Sequence, residues 1–156
     1  MEKRINAAEA GQGVLKAMLQ LSAHVSRSGL DKRLLALVDF RVSQINGCAY
    51  CLDMHSKDLR AAGETEQRLY VLDAWRESPF YTERERAALA WAEAVTLVTE
   101  GHVPDEVYAQ ARAQFTEEEL ANLTLAVVAI NGWNRLNIAF RTEPGSYKPG
   151  AWNAAA

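Results

Sequence analysis

The sequence predicts an all-α fold. Apolar residues recur at three-and-four spacing along most of the chain, and no segment shows the strict alternation of a strand. The four prolines, Pro79, Pro104, Pro144 and Pro149, fall at inferred helix boundaries or in the tail, where a missing N–H costs least. With 156 residues, 49% hydrophobic and 24% charged, the chain is long enough to bury its own core as one compact multi-helix domain.

Taken in order, residues 13–25 form a weak helical pattern. Asp31 is a helix N-cap, and Leu34, Leu37, Val38, Val42 and Ile45 follow it on one face until Asn46-Gly47 closes the helix. A second helix runs over 48–63, from Cys48 to the C-cap Gly63, and a shorter one over 66–75. Thr82 with Glu85, and Thr116 with Glu119, read as capping boxes that open Ala- and Leu-rich helices over 87–98 and 120–138. Between them Pro104, at a first helical position with Asp105 and Glu106 behind it, starts a helix ending near Phe115. This gives a helical domain over 1–141. Beyond Arg141 the composition turns to Pro, Gly and Ser, so 142–156 is an irregular tail. Its Tyr147 and Trp152 are expected to dock on the body or on a neighbouring subunit.

A formal charge of -3 carries no electrostatic footprint for nucleic acid, and no apolar run approaches the roughly 20 residues of a membrane span. Met1 to Asn6 is not followed by the apolar stretch of a signal peptide, so the expectation is a cytoplasmic protein with neither nucleic-acid nor membrane partners. Leftover apolar helix faces and aromatics such as Trp75, Tyr81 and Trp152 point to burial between subunits of a homo-oligomer.

The chemistry gathers at Cys48-Ala49-Tyr50-Cys51-Leu52-Asp53-Met54-His55, which holds both cysteines of the chain. On a helix the side chains at i, i+3 and i+7 share a face, so two sulfurs and an imidazole crowd together. In a reducing compartment such a pair is redox-active more often than structural, because a stabilising bridge closes a longer loop. Cys48 gains thiolate character from the helix N-terminus, and Cys51 from His55 one turn on, which can take its proton. Which sulfur attacks first stays open. The expected cycle passes through a sulfenic acid or mixed disulfide to a Cys48–Cys51 disulfide that an external thiol or dithiol reopens, with no metal or flavin of its own. Two buried hydrophobes, or a zinc site, are the competing readings. Zinc is short of ligands, since only His24 and His102 remain and neither forms a pattern with the CxxC. Trp133 and Asn134-Arg135 read as core packing with a polar edge. Arg41 interrupts an apolar face, either to pair with a carboxylate or to lend positive field to the thiols.

The run from Leu37 to His55, and Ala129-Ile130-Asn131-Gly132-Trp133-Asn134-Arg135-Leu136-Asn137, resemble the alkylhydroperoxidase D-like branch of the carboxymuconolactone decarboxylase superfamily. The resemblance implies an all-helical subunit in trimers or hexamers. It further implies a peroxidase or disulfide reductase of antioxidant defence acting on hydroperoxides, with Cys48 and Cys51 as redox pair and His55 as proton-relay base. A family glutamate that orients the histidine stands twelve residues before the first cysteine, where this chain has Ala36. Asp39, one turn further along, is either the replacement relay through a water or a solvated surface acid. Lactone decarboxylation and a non-enzymatic redox-sensing oligomer are the rival functions.

Overall fold

A computed structural model describes residues 4–151, and every regular element in that range is helical. Helix α1 is a single turn, Ala7–Ala10, which the sequence pattern does not announce. It is followed by α2 (Gln12–Ser26), α3 (Lys32–Asn46), α4 (Ala49–Ala61), α5 (Glu66–Tyr70), α6 (Glu83–Thr96), α7 (Asp105–Gln114) and α8 (Glu117–Phe140). The segment read as one helix over 66–75 breaks after Tyr70 and tightens into a 3-10 turn at Leu72–Ala74.

The caps are where local chemistry places them. Asp31 accepts the N–H of Leu34 at 2.8 Å, and both Thr–Glu capping boxes are formed, at Thr82/Glu85 and Thr116/Glu119. Pro104 is the N-cap of α7 and not its first helical residue. Gly47 closes α3 with φ of 67°, a left-handed conformation in which a side chain costs energy, and the N–H of Cys48 reaches back to the Ser43 carbonyl at 3.1 Å. Two residues thus suffice to turn the chain from α3 into α4, and Cys48 is left as the N-cap of the new helix.

Helix α3 is the hub, packed against α4, α6 and α8, while α2 lies on α8. Its two apolar stripes enter two cores. Leu34, Val38 and Val42 join Ala88, Trp91 and Ala92 of α6 with Leu123, Val127 and Ile130 of α8, whereas Leu37 and Phe40 join Leu59, Leu69, Leu72 and Leu89. Alanines at 87, 88, 90 and 92 give α6 a low-relief surface that a neighbouring helix can approach closely.

Trp75 and Tyr81 correct the sequence reading. Each is only 4% exposed within its own chain, so neither is held back for a subunit interface. The 3-10 turn folds Trp75 inward, where its indole N–H donates to Glu93 at 2.8 Å, and the Tyr81 hydroxyl donates to the Arg68 carbonyl. Polar tips that find partners inside make burial of these rings favourable. Trp152 lies outside the described residues. Tyr147 docks on the body, with its hydroxyl 2.8 Å from Asp58, and the Gly145 N–H reaches Asp53 at 2.9 Å, so the tail runs along the outer side of α4.

Candidate active site

The site is built on the first two turns of α4. Cys48 and Cys51 are joined as a disulfide, their Cα atoms 5.3 Å apart, and each residue is 1% exposed. As N-cap, Cys48 offers its Sγ to the otherwise unsatisfied N–H of Cys51 at 3.4 Å. The second sulfur is met from another element: Asn137 of α8 donates its Nδ2 to Cys51 Sγ at 3.6 Å.

His55 follows on the same helix. The residue is partly buried, and its Nε2 is buried with no hydrogen-bond partner. Burial pushes the imidazole down from 6.5 to about 4, against a smaller opposing pull from the Asp58 carboxylate. At neutral pH His55 is therefore an uncharged base of modest strength. Ala36 is partly buried against the second core and offers no carboxylate. Asp39 is not the solvated surface acid of the sequence reading: it is partly buried and bears no side-chain hydrogen bond or ion pair, and burial pushes it up from 3.8 to about 7. No direct hydrogen bond or ion pair joins it to His55.

Arg41 takes the first of its two readings. It binds Glu93 at 2.8 Å, Asp73, and Gln44 at 3.1 Å, so its charge is spent away from the sulfurs. Glu93 also holds Arg76 at 2.5 Å and the Trp75 indole, and these donors draw its carboxyl below the usual range despite burial. His24 sits in the last turn of α2 and His102 in the turn before α7, with φ of 51°. Among the described residues no three His, Cys, Asp or Glu side chains converge as metal ligands.

The sequence reading passed over an amide seam between α3 and α8. Asn46 donates to Asn134 at 2.8 Å and to Asn131 at 3.0 Å, Asn134 donates to Ser43 at 3.1 Å, and Asn131 donates to Thr96 at 3.0 Å. Asn134 and Ser43 are fully buried, so these bonds pin the register of α8 and bring Asn137, one turn on, to Cys51. The spacing of Asn131, Asn134 and Asn137 on an otherwise apolar helix is the signal that marks them.

The sequence profile of the carboxymuconolactone decarboxylase family matches residues 12–94, more than half of the chain. The chain belongs to this family. Uncharacterized protein YdfG of Bacillus subtilis is 40% identical over 94% of this chain and 99% of its own length. The alkyl hydroperoxide reductase AhpD of Streptomyces coelicolor is 40% identical over 50% of this chain and 45% of its own. The crystal structure of Agrobacterium tumefaciens ATU0492, a protein of unknown function for which an antioxidant-defence AhpD role has been suggested, superposes with a TM-score of 0.90. It is 44% identical and covers 94% of this chain and all of that one. Within the carboxymuconolactone decarboxylase family the chain thus falls in the AhpD-like branch.

Proposed function

We propose that this chain is a thiol-dependent peroxidase of antioxidant defence, cycling Cys48 and Cys51 between dithiol and disulfide with His55 as the base. The observation that carries the reading is the position of the pair. Both sulfurs lie at the N-terminus of α4, buried and within bonding distance, with an uncharged imidazole one turn on. A helix start favours thiolate, a neutral imidazole accepts the proton, and a second thiol in reach resolves the oxidised first.

The electrons then balance within the pair. His55 takes the proton of one thiol; the thiolate attacks a hydroperoxide oxygen, the O–O bond breaks, and the leaving alkoxide takes the proton back as alcohol. The sulfenic acid left behind is attacked by the other sulfur, the S–O bond breaks, and the proton of that second thiol leaves with the hydroxide as water as the disulfide forms. An external thiol or dithiol returns two electrons. With Ala36 in place of a carboxylate, no strong acceptor raises the basicity of His55, and Asp39, which burial pushes up to about 7, is the candidate to pass a proton through water. The setting is expected to be the cytoplasm, in a homotrimer or homohexamer; light scattering showing a monomer at micromolar concentration would contradict the assembly.

Mass spectrometry of the reduced protein, before and after one equivalent of an organic hydroperoxide, tests the reading. The expected result is a loss of two hydrogens mapped to a Cys48–Cys51 bridge. An unchanged mass, or oxygen added elsewhere with both thiols intact, would overturn it. Lactone decarboxylation uses no dithiol, so replacing both cysteines by serine separates that reaction from peroxide reduction.

A further inference from the structure

The Asn137 amide has two N–H groups and spends both. One bonds the Trp133 carbonyl in its own helix at 3.0 Å, which fixes the orientation of the amide; the other is aimed at Cys51 Sγ at 3.6 Å. A neutral disulfide sulfur is a weak acceptor, whereas a thiolate in the same place is a strong one, so this contact gains strength only once the bond is reduced. The amide is already in place through the buried bonds of Asn134 to Ser43 and Asn46. The other sulfur, Cys48 Sγ, is met by the backbone N–H of Cys51, which no side-chain substitution removes.

Resting on the reading of the pair as redox-active, we propose that Asn137 is the donor from α8 that holds negative charge on the Cys51 sulfur. When an external thiolate attacks Cys48 Sγ, a mixed disulfide forms there, the Cys48–Cys51 bond breaks, and its electron pair leaves on Cys51 Sγ, onto the Asn137 N–H. The same bond favours the Cys51 thiolate in the reduced protein at the start of the next cycle.

Other charged groups around the pair leave this role open to Asn137. On α4, Tyr50 lies between the cysteines and His55 beyond them, and neither bonds a sulfur; Asp53 is paired with Lys57, and Asp58 accepts from Tyr147 and the Gly150 N–H. On α3, Asp39 makes no side-chain bond and Arg41 is paired with Glu93 and Asp73. On α8, Arg135 bonds Asn131.

The test isolates each thiol in the full chain. In Cys48→Ser, where serine is still a good N-cap, Cys51 is the sole thiol; in Cys51→Ser, Cys48 is. The pH dependence of iodoacetamide alkylation gives the thiol pKa in each, with and without Asn137→Ala. The expected result is a rise of about one unit for Cys51, a tenfold loss of thiolate at fixed pH below the pKa, and no rise for Cys48. In the two-cysteine protein, at a pH above the Cys51 pKa of both variants, the same tenfold change makes the disulfide potential more negative by about 30 mV. Asn137→Leu, of similar size, uncharged and a good helix former, raises the Cys51 pKa as far and covers the case in which alanine leaves a cavity. No shift at Cys51 with either variant, or equal shifts at both cysteines, would overturn the assignment. These readouts need no peroxide, so a protein that reduces no hydroperoxide defeats the proposed activity while the Cys51 comparison still decides the role of Asn137.

Discussion

Replacing Asp39 by asparagine should stabilise the protein by an amount that grows as pH rises. The carboxyl is partly buried on α3, has no hydrogen bond or cation, and is pushed by burial from 3.8 to about 7. Between these values the folded protein keeps a proton that the unfolded chain has released, so this group's contribution to stability falls as pH rises through the window. A displacement of about three pH units corresponds to about 4 kcal/mol at full effect. Water reaching a partly exposed carboxylate weakens the penalty, and about 2 kcal/mol is the expected gain above pH 8. Asparagine has the shape of the protonated acid and cannot ionise. Urea unfolding of both proteins at several pH values from 4 to 8.5 reads the difference directly, with the two curves close at pH 4 and separated by about 2 kcal/mol at the alkaline end. His55 has the opposite slope: it is held at about 4 against 6.5, so it lowers stability as pH falls through that window, but it is present in both proteins and cancels. A difference that does not vary with pH, or one that favours aspartate more as pH rises, would refute the reasoning, because the latter is the behaviour of a carboxylate that has found a cation.

His55→Ala should slow oxidation of the dithiol more at pH 6 than at pH 9, because thiolate forms unaided above the thiol's own pKa; equal slowing in stopped-flow traces at both pH values would make His55 a packing residue. Ala36→Glu should raise hydroperoxide turnover on the order of tenfold, about 1.4 kcal/mol of barrier, by giving His55 a carboxylate to work against. If Asp39→Asn abolishes activity in the natural sequence while Ala36→Glu brings no gain, Asp39 already serves as the relay. Asn134→Ala should cost about 2 kcal/mol in urea unfolding, because it empties a fully buried position and removes the two bonds that Asn134 makes to Ser43 and Asn46 of α3; a loss under about 1 kcal/mol would mean the seam does not fix that register.

The sequence by itself determined what is local. Helix starts and stops follow from one or two side chains bonding backbone groups a turn away, so Asp31, Thr82, Thr116 and Gly47 were legible, and so were the approach of Cys48 to Cys51 at the start of α4 and the place of His55 further along the same helix. Only the tertiary structure decided what depends on contacts between helices. Trp75 and Tyr81 turn inward because Glu93 and the Arg68 carbonyl, 18 and 13 residues away, satisfy their polar tips. Arg41 goes to Glu93, 52 residues on, and Asp39 is desolvated by helices that its own neighbours do not reveal. Asn137 meets Cys51 across 86 residues because a buried amide seam sets the register of α8. A residue's charge and hydrogen-bonding capacity are written in its type; the dielectric around it and the partner it finds belong to the packing.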